Sequence, residues 1–277
     1  MYNCTEATAR SIIAGTDVNC GGEYNNEIVN AVKAGMLTQS QVDTSFSRLT
    51  TQQMLLGLFD NDKANQPFGV DTIDSVEHQQ LALEAARQTV VLLKNDGDLL
   101  PLKSGANKIA IVGPHFNATE LLVSNYHGSR CLDPGTAGPG SGHNFDCIVS
   151  PLEAITKSNS GSSVTGVQGC DVATNDTSGI AAAVTAATAA DIVVLAVGID
   201  QSQEREGLDR VITTLPGAQT QLVDAVLKAK GNKNVVMVLF SGGAMSLGPQ
   251  KDQIPAIISA GYGGEAGALA LADVLFG

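Results

Sequence analysis

Three carboxylates and two guanidinium groups crowd the segment Glu204-Arg205-Glu206-Gly207-Leu208-Asp209-Arg210, in a chain where only 16% of the 277 residues are charged. A carboxylic acid can transfer protons near neutral pH when its surroundings set its proton affinity. On the functional reading, this is a mobile loop that presents one acid to a ligand, with an Arg–Asp pair holding the loop. Gly207, beside Glu206, would let a ligand approach the backbone closely. The plainer reading is a solvated loop laced with surface ion pairs. Other chemistries have less to build on. The four histidines (His78, His115, His127, His143) are scattered and show no metal-ligand spacing. No GxSxG elbow and no GxxxxGK[ST] loop occurs. Gly261-x-Gly263-x-x-Ala266 has the outline of a dinucleotide fingerprint, but no acidic residue follows at the required distance. For these glycines, close packing of a strand against a helix is the better explanation.

The elements that must position the charged segment alternate along the chain. Residues 108–112, 163–167, 191–197, 235–240 and 256–259 read as short strands, most of them apolar throughout. Helical stretches lie between them at 151–156, 180–190 and 220–230, and 264–276 closes the chain. Apolar strands separated by helices predict a parallel sheet covered on both faces, a doubly wound α/β architecture. In such sheets ligands bind beyond the carboxyl ends of the strands. The charged segment follows Asp191–Val197, and Ser241-Gly242-Gly243-Ala244 and Gly261-Tyr262-Gly263-Gly264-Glu265 follow two other strands. Residues 1–57 read as three helices, the third bearing Val42, Phe46, Leu49 and Leu56 on one side. Residues 58–74 read as a connector. Ser75 caps a further helix that runs into the strand-like Val90–Leu93. A Gly-rich loop spans 128–147.

Composition narrows the partners. Sixteen basic residues against twenty-eight acidic ones give a net charge of −12, which argues against nucleic-acid binding. No apolar stretch of about 18 residues is present to span a membrane as a helix. Trp is absent, so a sugar site built on Trp platforms cannot lie wholly within the chain. Three sequons, at Asn3, Asn117 and Asn175, lean towards secretion. The N-terminus does not read as a signal peptide, so the protein is either cytosolic or the chain begins inside a longer one. None of the five cysteines forms a CxxC pair. Cys131–Cys147, closing a local loop, is the first disulfide to expect.

Eight stretches together resemble glycoside hydrolase family 3, and within it the β-xylosidase-like branch. They are AGTDVNCG (14–21), EAARQTVVLLKNDGDLLPL (84–102), KIAIVGP (108–114), NYHG (125–128), SPLEAI (150–155), ADIVVLAVGIDQSQEREGLDRVITTLPGAQTQLV (190–223), VVMVLFSGGAMSL (235–247) and GYGGEAGALALADVLFG (261–277). The resemblance implies a C-terminal remnant of a (β/α) barrel at 1–57, a linker and first helix at 58–83, and an α/β sandwich at 84–277, incomplete at its end. It implies a retaining exo-β-glycosidase that releases xylose, or arabinose or glucose, from hemicellulose-type oligosaccharides, without cofactor or metal. It places the general acid/base in an E-G-x-D-R pattern, here Glu206-Gly207-Leu208-Asp209-Arg210, with Glu204 as the fallback. The family's Asp nucleophile would lie upstream of these residues, and Asp17, near the family's site, is not assigned a catalytic role. The competing class is a non-catalytic α/β module that binds a nucleotide or small molecule.

Overall fold

The structure is a computed structural model that describes residues 3–60, 72, 75–127, 145 and 147–277. The chain divides into two compact units, Met1–Ile73 and Asp74–Gly277.

The first unit holds α1 (Cys4–Ile13), α2 (Glu23–Lys33) and α3 (Gln39–Leu55). Asn3 caps α1 by accepting the Glu6 amide. Thr38 and Gln41 form a capping box on α3. Ala9, Ile12, Ala31 and Leu37 make a small buried cluster. The apolar side of α3 is unevenly covered: Val42 packs against this cluster and Leu49 is half-buried, whereas Phe46 and Leu56 are exposed. Ser45 and Arg48 on α3 both reach Asp17 Oδ1, at 2.8 and 3.2 Å, which ties the AGTDVNCG segment to that helix.

The second unit begins with α4 (Val76–Thr89), capped by Ser75, and continues as β1 (Val91–Asn95), β2 (Ile109–Val112), α5 (Glu120–Val123), α6 (Pro151–Ser158), β3 (Val164–Val167), α7 (Ile180–Ala189), β4 (Ile192–Gly198), α8 (Gln219–Lys230), β5 (Val235–Phe240), α9 (Gln250–Gln253), β6 (Ala256–Ser259) and α10 (Gly267–Phe276). Among the described residues the strands form one sheet in the order β1-β6-β5-β4-β2-β3. All pairs are parallel except β1 with β6. The α/β sandwich expected from the sequence is the observed fold.

Side-chain alternation explains why the strands are apolar throughout. Ile109, Ile111, Val194, Ala196, Val236 and Phe240 point to one face, against Ile155 of α6 and Leu271 and Leu275 of α10. Ala110, Val112, Val193, Leu195, Met237 and Leu239 point to the other, against Ala183 of α7 and Leu222 and Val226 of α8. A strand with both faces covered has no polar position to spend. Ser150 and Glu153 form a capping box at α6, with Pro151 in its first turn. Of the expected disulfide, Cys147 is disulfide-bonded and Cys131 lies outside the described residues. Most of the Gly-rich loop and of the connector also lies outside them. Cys4, Cys20 and Cys170 are free thiols.

Candidate active site

The five parallel strands end on one side of the sheet. From β2 the chain leaves over the α6 face to the edge strand β3, whereas from β4 it leaves over the α8 face to β5. Adjacent strands whose connections part in this way leave a crevice beyond their carboxyl ends, the place where open α/β sheets bind ligands. The segment 199–215 starts there. Its origin is fixed by Gln219, a fully buried side chain. The Gln219 amide accepts the Gly198 N–H at 2.8 Å and donates to the carbonyls of Gly198 and Val172 at 2.7 Å each.

The two candidate carboxylates occupy different settings. Arg205 and Leu208 exchange backbone hydrogen bonds at 3.1 and 2.9 Å, which closes a four-residue turn. Glu206 and Gly207 are its two central residues. Gly207 alone has positive φ, at 76°, as the second central position of a type II turn requires. Glu206 is exposed. Its neighbour is the exposed Tyr126 phenol: hydrogen bonding to Glu206, then slight desolvation and the Glu206 charge, raise the phenol's pKa.

Glu204 lies at the base of the turn with its side chain only 20% exposed. One carboxylate oxygen accepts the Gly242 N–H at 2.5 Å and the Tyr262 hydroxyl at 2.8 Å. The other accepts Arg210 Nε at 3.2 Å. Arg210, 14% exposed, also donates to the Ala244 carbonyl at 3.1 Å and to the Met245 sulfur at 3.0 Å. Burial, and then the hydrogen bond and charge of Glu204, hold the Tyr262 phenol well above its ordinary pKa. The Arg–Asp pair expected to hold the loop is therefore an Arg210–Glu204 pair. Asp209 is exposed and forms no ion pair among the described residues, because Arg210 turns inward to the β5 loop. Two closures, one of backbone and one of side chains, hold the segment in this arrangement.

The crevice between β2 and β4 contains a cavity of about 380 Å³ lined in part by His115, Glu120, Asp200, Gln201 and Ser202. His115 Nε2 and Gln201 Nε2 are buried there without hydrogen-bond partners among the described residues. Burial pushes the His115 imidazole down to about 4, against the opposing pull of Asp200 and the Gly198 backbone. Nothing in the sequence singled out His115, Gln219 or Tyr262. The last stood in a glycine-rich loop read for packing. Packing is indeed what Gly263 serves, since a Cβ there would lie 2.7 Å from Gly267 Cα. Among the described residues no three His, Cys, Asp or Glu side chains gather as a metal site.

Residues 90–277 match the model of the glycosyl hydrolase family 3 C-terminal domain. The chain belongs to this family. It is 40% identical over 278 residues to β-D-xylosidase 3 of Arabidopsis thaliana, and 37% identical over 281 residues to β-xylosidase/α-L-arabinofuranosidase 1 of Medicago sativa subsp. varia. Each alignment covers 98% of this chain, and 33% and 34% of the respective relative. A solved family 3 exo-β-xylosidase, in complex with a xylobiose aziridine activity-based probe, superimposes with a TM-score of 0.78 at 33% identity, over 99% of this chain and 33% of that one. The family 3 chain thus spans about a third of the length of these relatives. Its glycines, its clamped carboxylate and its exposed one belong to a glycoside hydrolase domain.

Proposed function

We propose that this family 3 chain is the acid/base half of a retaining exo-β-glycosidase that releases xylose from hemicellulose-type oligosaccharides, with arabinose and glucose as the other sugars to test. Xylose is favoured by the relatives at 37–40% identity, a β-D-xylosidase and a β-xylosidase/α-L-arabinofuranosidase. The nucleophilic Asp is supplied from outside these 277 residues, residues 1–57 belong to the preceding barrel, and the protein is secreted and glycosylated. The nucleophile attacks the anomeric carbon while Glu206 gives its proton to the departing oxygen. Water then attacks the glycosyl-enzyme, and Glu206 takes the proton back. Retention requires the two carboxyl groups about 5–5.5 Å apart.

One observation carries the choice of Glu206: it is exposed at the tip of a hydrogen-bonded turn beyond the sheet, and among the described residues no cation is paired with it. A general acid must hold its proton until the leaving oxygen takes it, and a cationic partner works against that. Glu204 is the second reading, favoured by its place where the loops after β4, β5 and β6 meet. The test is kinetic, in the full-length protein that carries this chain. Glu206→Ala should lose about 10²–10⁴-fold on a natural disaccharide. It should also regain turnover of an activated aryl xyloside with azide. Rescue of Glu204→Ala and not of Glu206→Ala transfers the role to Glu204. The 277-residue chain by itself should hydrolyse no aryl β-xyloside; turnover that Glu206→Gln abolishes would show the nucleophile to be present.

A further inference from the structure

Glu204 and Arg210 bracket the turn that carries Glu206. Their ion pair closes the loop at its base, as the Arg205–Leu208 backbone bonds close it near the tip. Neither partner is free to follow the turn if it moves. Glu204 is tied to the β5 loop through Gly242 N–H and to the β6 loop through the Tyr262 hydroxyl. Arg210 is tied to the β5 loop through Ala244 and Met245. Backbone bonds between Ser246 N–H and the Thr213 carbonyl, at 2.8 Å, continue the same seam. The approach is close enough to dictate residue type: a Cβ on Gly242 would stand 2.9 Å from Glu204 Oε1, and one on Gly243 would stand 2.6 Å from an Arg210 nitrogen.

We propose that Tyr262 and Arg210 are positioning residues for proton transfer: acting through Glu204, they lock the loops after β4, β5 and β6 together and fix the turn that presents Glu206. This rests on the reading that Glu206 is the general acid/base. Three donors converge on the Glu204 carboxylate, and its hydrogen-bonding capacity is spent on holding three segments. A largely desolvated pair of this kind adds little net stability over an apolar replacement, so its consequence is geometric. Proton transfer is sensitive to geometry at this scale, because a displacement of about 1 Å can cost 10²-fold in rate. The other charges of the segment do not share the task. Arg205 donates to the Gln201 carbonyl at 2.7 Å, within its own loop.

The experiment measures kcat/KM of the full-length protein on xylosides of graded leaving-group ability. Tyr262→Phe and Arg210→Met should each lower activity on xylobiose about 10–100-fold while changing a dinitrophenyl xyloside less than about 3-fold, since a good leaving group needs no proton. Arg210→Lys should restore part of the loss. Equal losses on every leaving group would mean a merely structural role and overturn the proposal, as would no loss at all. If Glu206→Ala shows the leaving-group dependence and the two variants do not, the positioning role alone fails. If wild-type protein hydrolyses no xyloside, or the dependence appears in Glu204→Ala and not in Glu206→Ala, the underlying reading fails and the route through Glu204 goes with it.

Discussion

Residues 75–277 and residues 3–60 use the same kinds of side chain to different ends. In the sandwich, apolar strands meet apolar helix faces on both sides of the sheet, and Leu222, Val226, Leu271 and Leu275 are fully or almost fully enclosed. In the helical unit a handful of residues are enclosed, while Phe46 is 66% and Leu55 76% exposed. The contrast shows that helical periodicity and burial are separate facts. The α3 pattern is enough to form a helix with a capping box and to bring Val42 to the small cluster, but Phe46 stays exposed, whereas β2, β4 and β5 are buried along their whole length. The sandwich therefore has a core whose disruption is felt globally, and the helices have one that is felt locally.

Truncating a sandwich anchor tests this most strongly. Leu222→Ala, at the contact of α8 with the sheet, should cost about 2–5 kcal/mol, read as a lower midpoint in urea followed by circular dichroism. An effect below about 1 kcal/mol would mean that the sheet is not packed as described. Acid comes next. His115 is held neutral by burial, with its folded pKa near 4 against an ordinary 6.5. The unfolded chain binds the extra proton first. Stability is therefore complete above about pH 6.5 and falls as the pH drops towards 4, by roughly 3 kcal/mol in all. His115→Gln should flatten that slope, and an unchanged slope would place its origin elsewhere. A smaller loss, about 1 kcal/mol, is expected for Ser150→Ala, which removes the α6 capping box. The same test on α3, Thr38→Ala, should lower helicity of the first unit and leave the sandwich transition in place. Phe46→Ser, on the exposed part of α3, should change stability by less than about 0.5 kcal/mol; a large loss would show that this part is packed in solution.

Much of this architecture was legible in the chain itself. The strands from 109 to 259 could be read from their apolar runs. The caps Ser75 and Ser150 could be read from residue type, and the position of the charged segment from its place after the most apolar strand. The strand at 91–95 was visible as well, but its direction was not: only pairing with β6 makes it the antiparallel edge. Within the segment, the sequence suggested an Arg–Asp pair, and the fold pairs Arg210 with Glu204.

What the sequence determined by itself is the local part: element types, their order, the family to which those eight stretches point, and the turn chemistry of Glu206-Gly207. Local dihedral preferences and hydrophobic period act over a few residues, so a few residues suffice to read them. What only the tertiary structure decided is which of two carboxylates is clamped and which stands exposed. Gly242 and Tyr262 lie 38 and 58 residues beyond Glu204, and His115 precedes its neighbour Asp200 by a still longer stretch. Such meetings are set by strand order and by which loops leave the same edge of the sheet, and no short-range pattern records either.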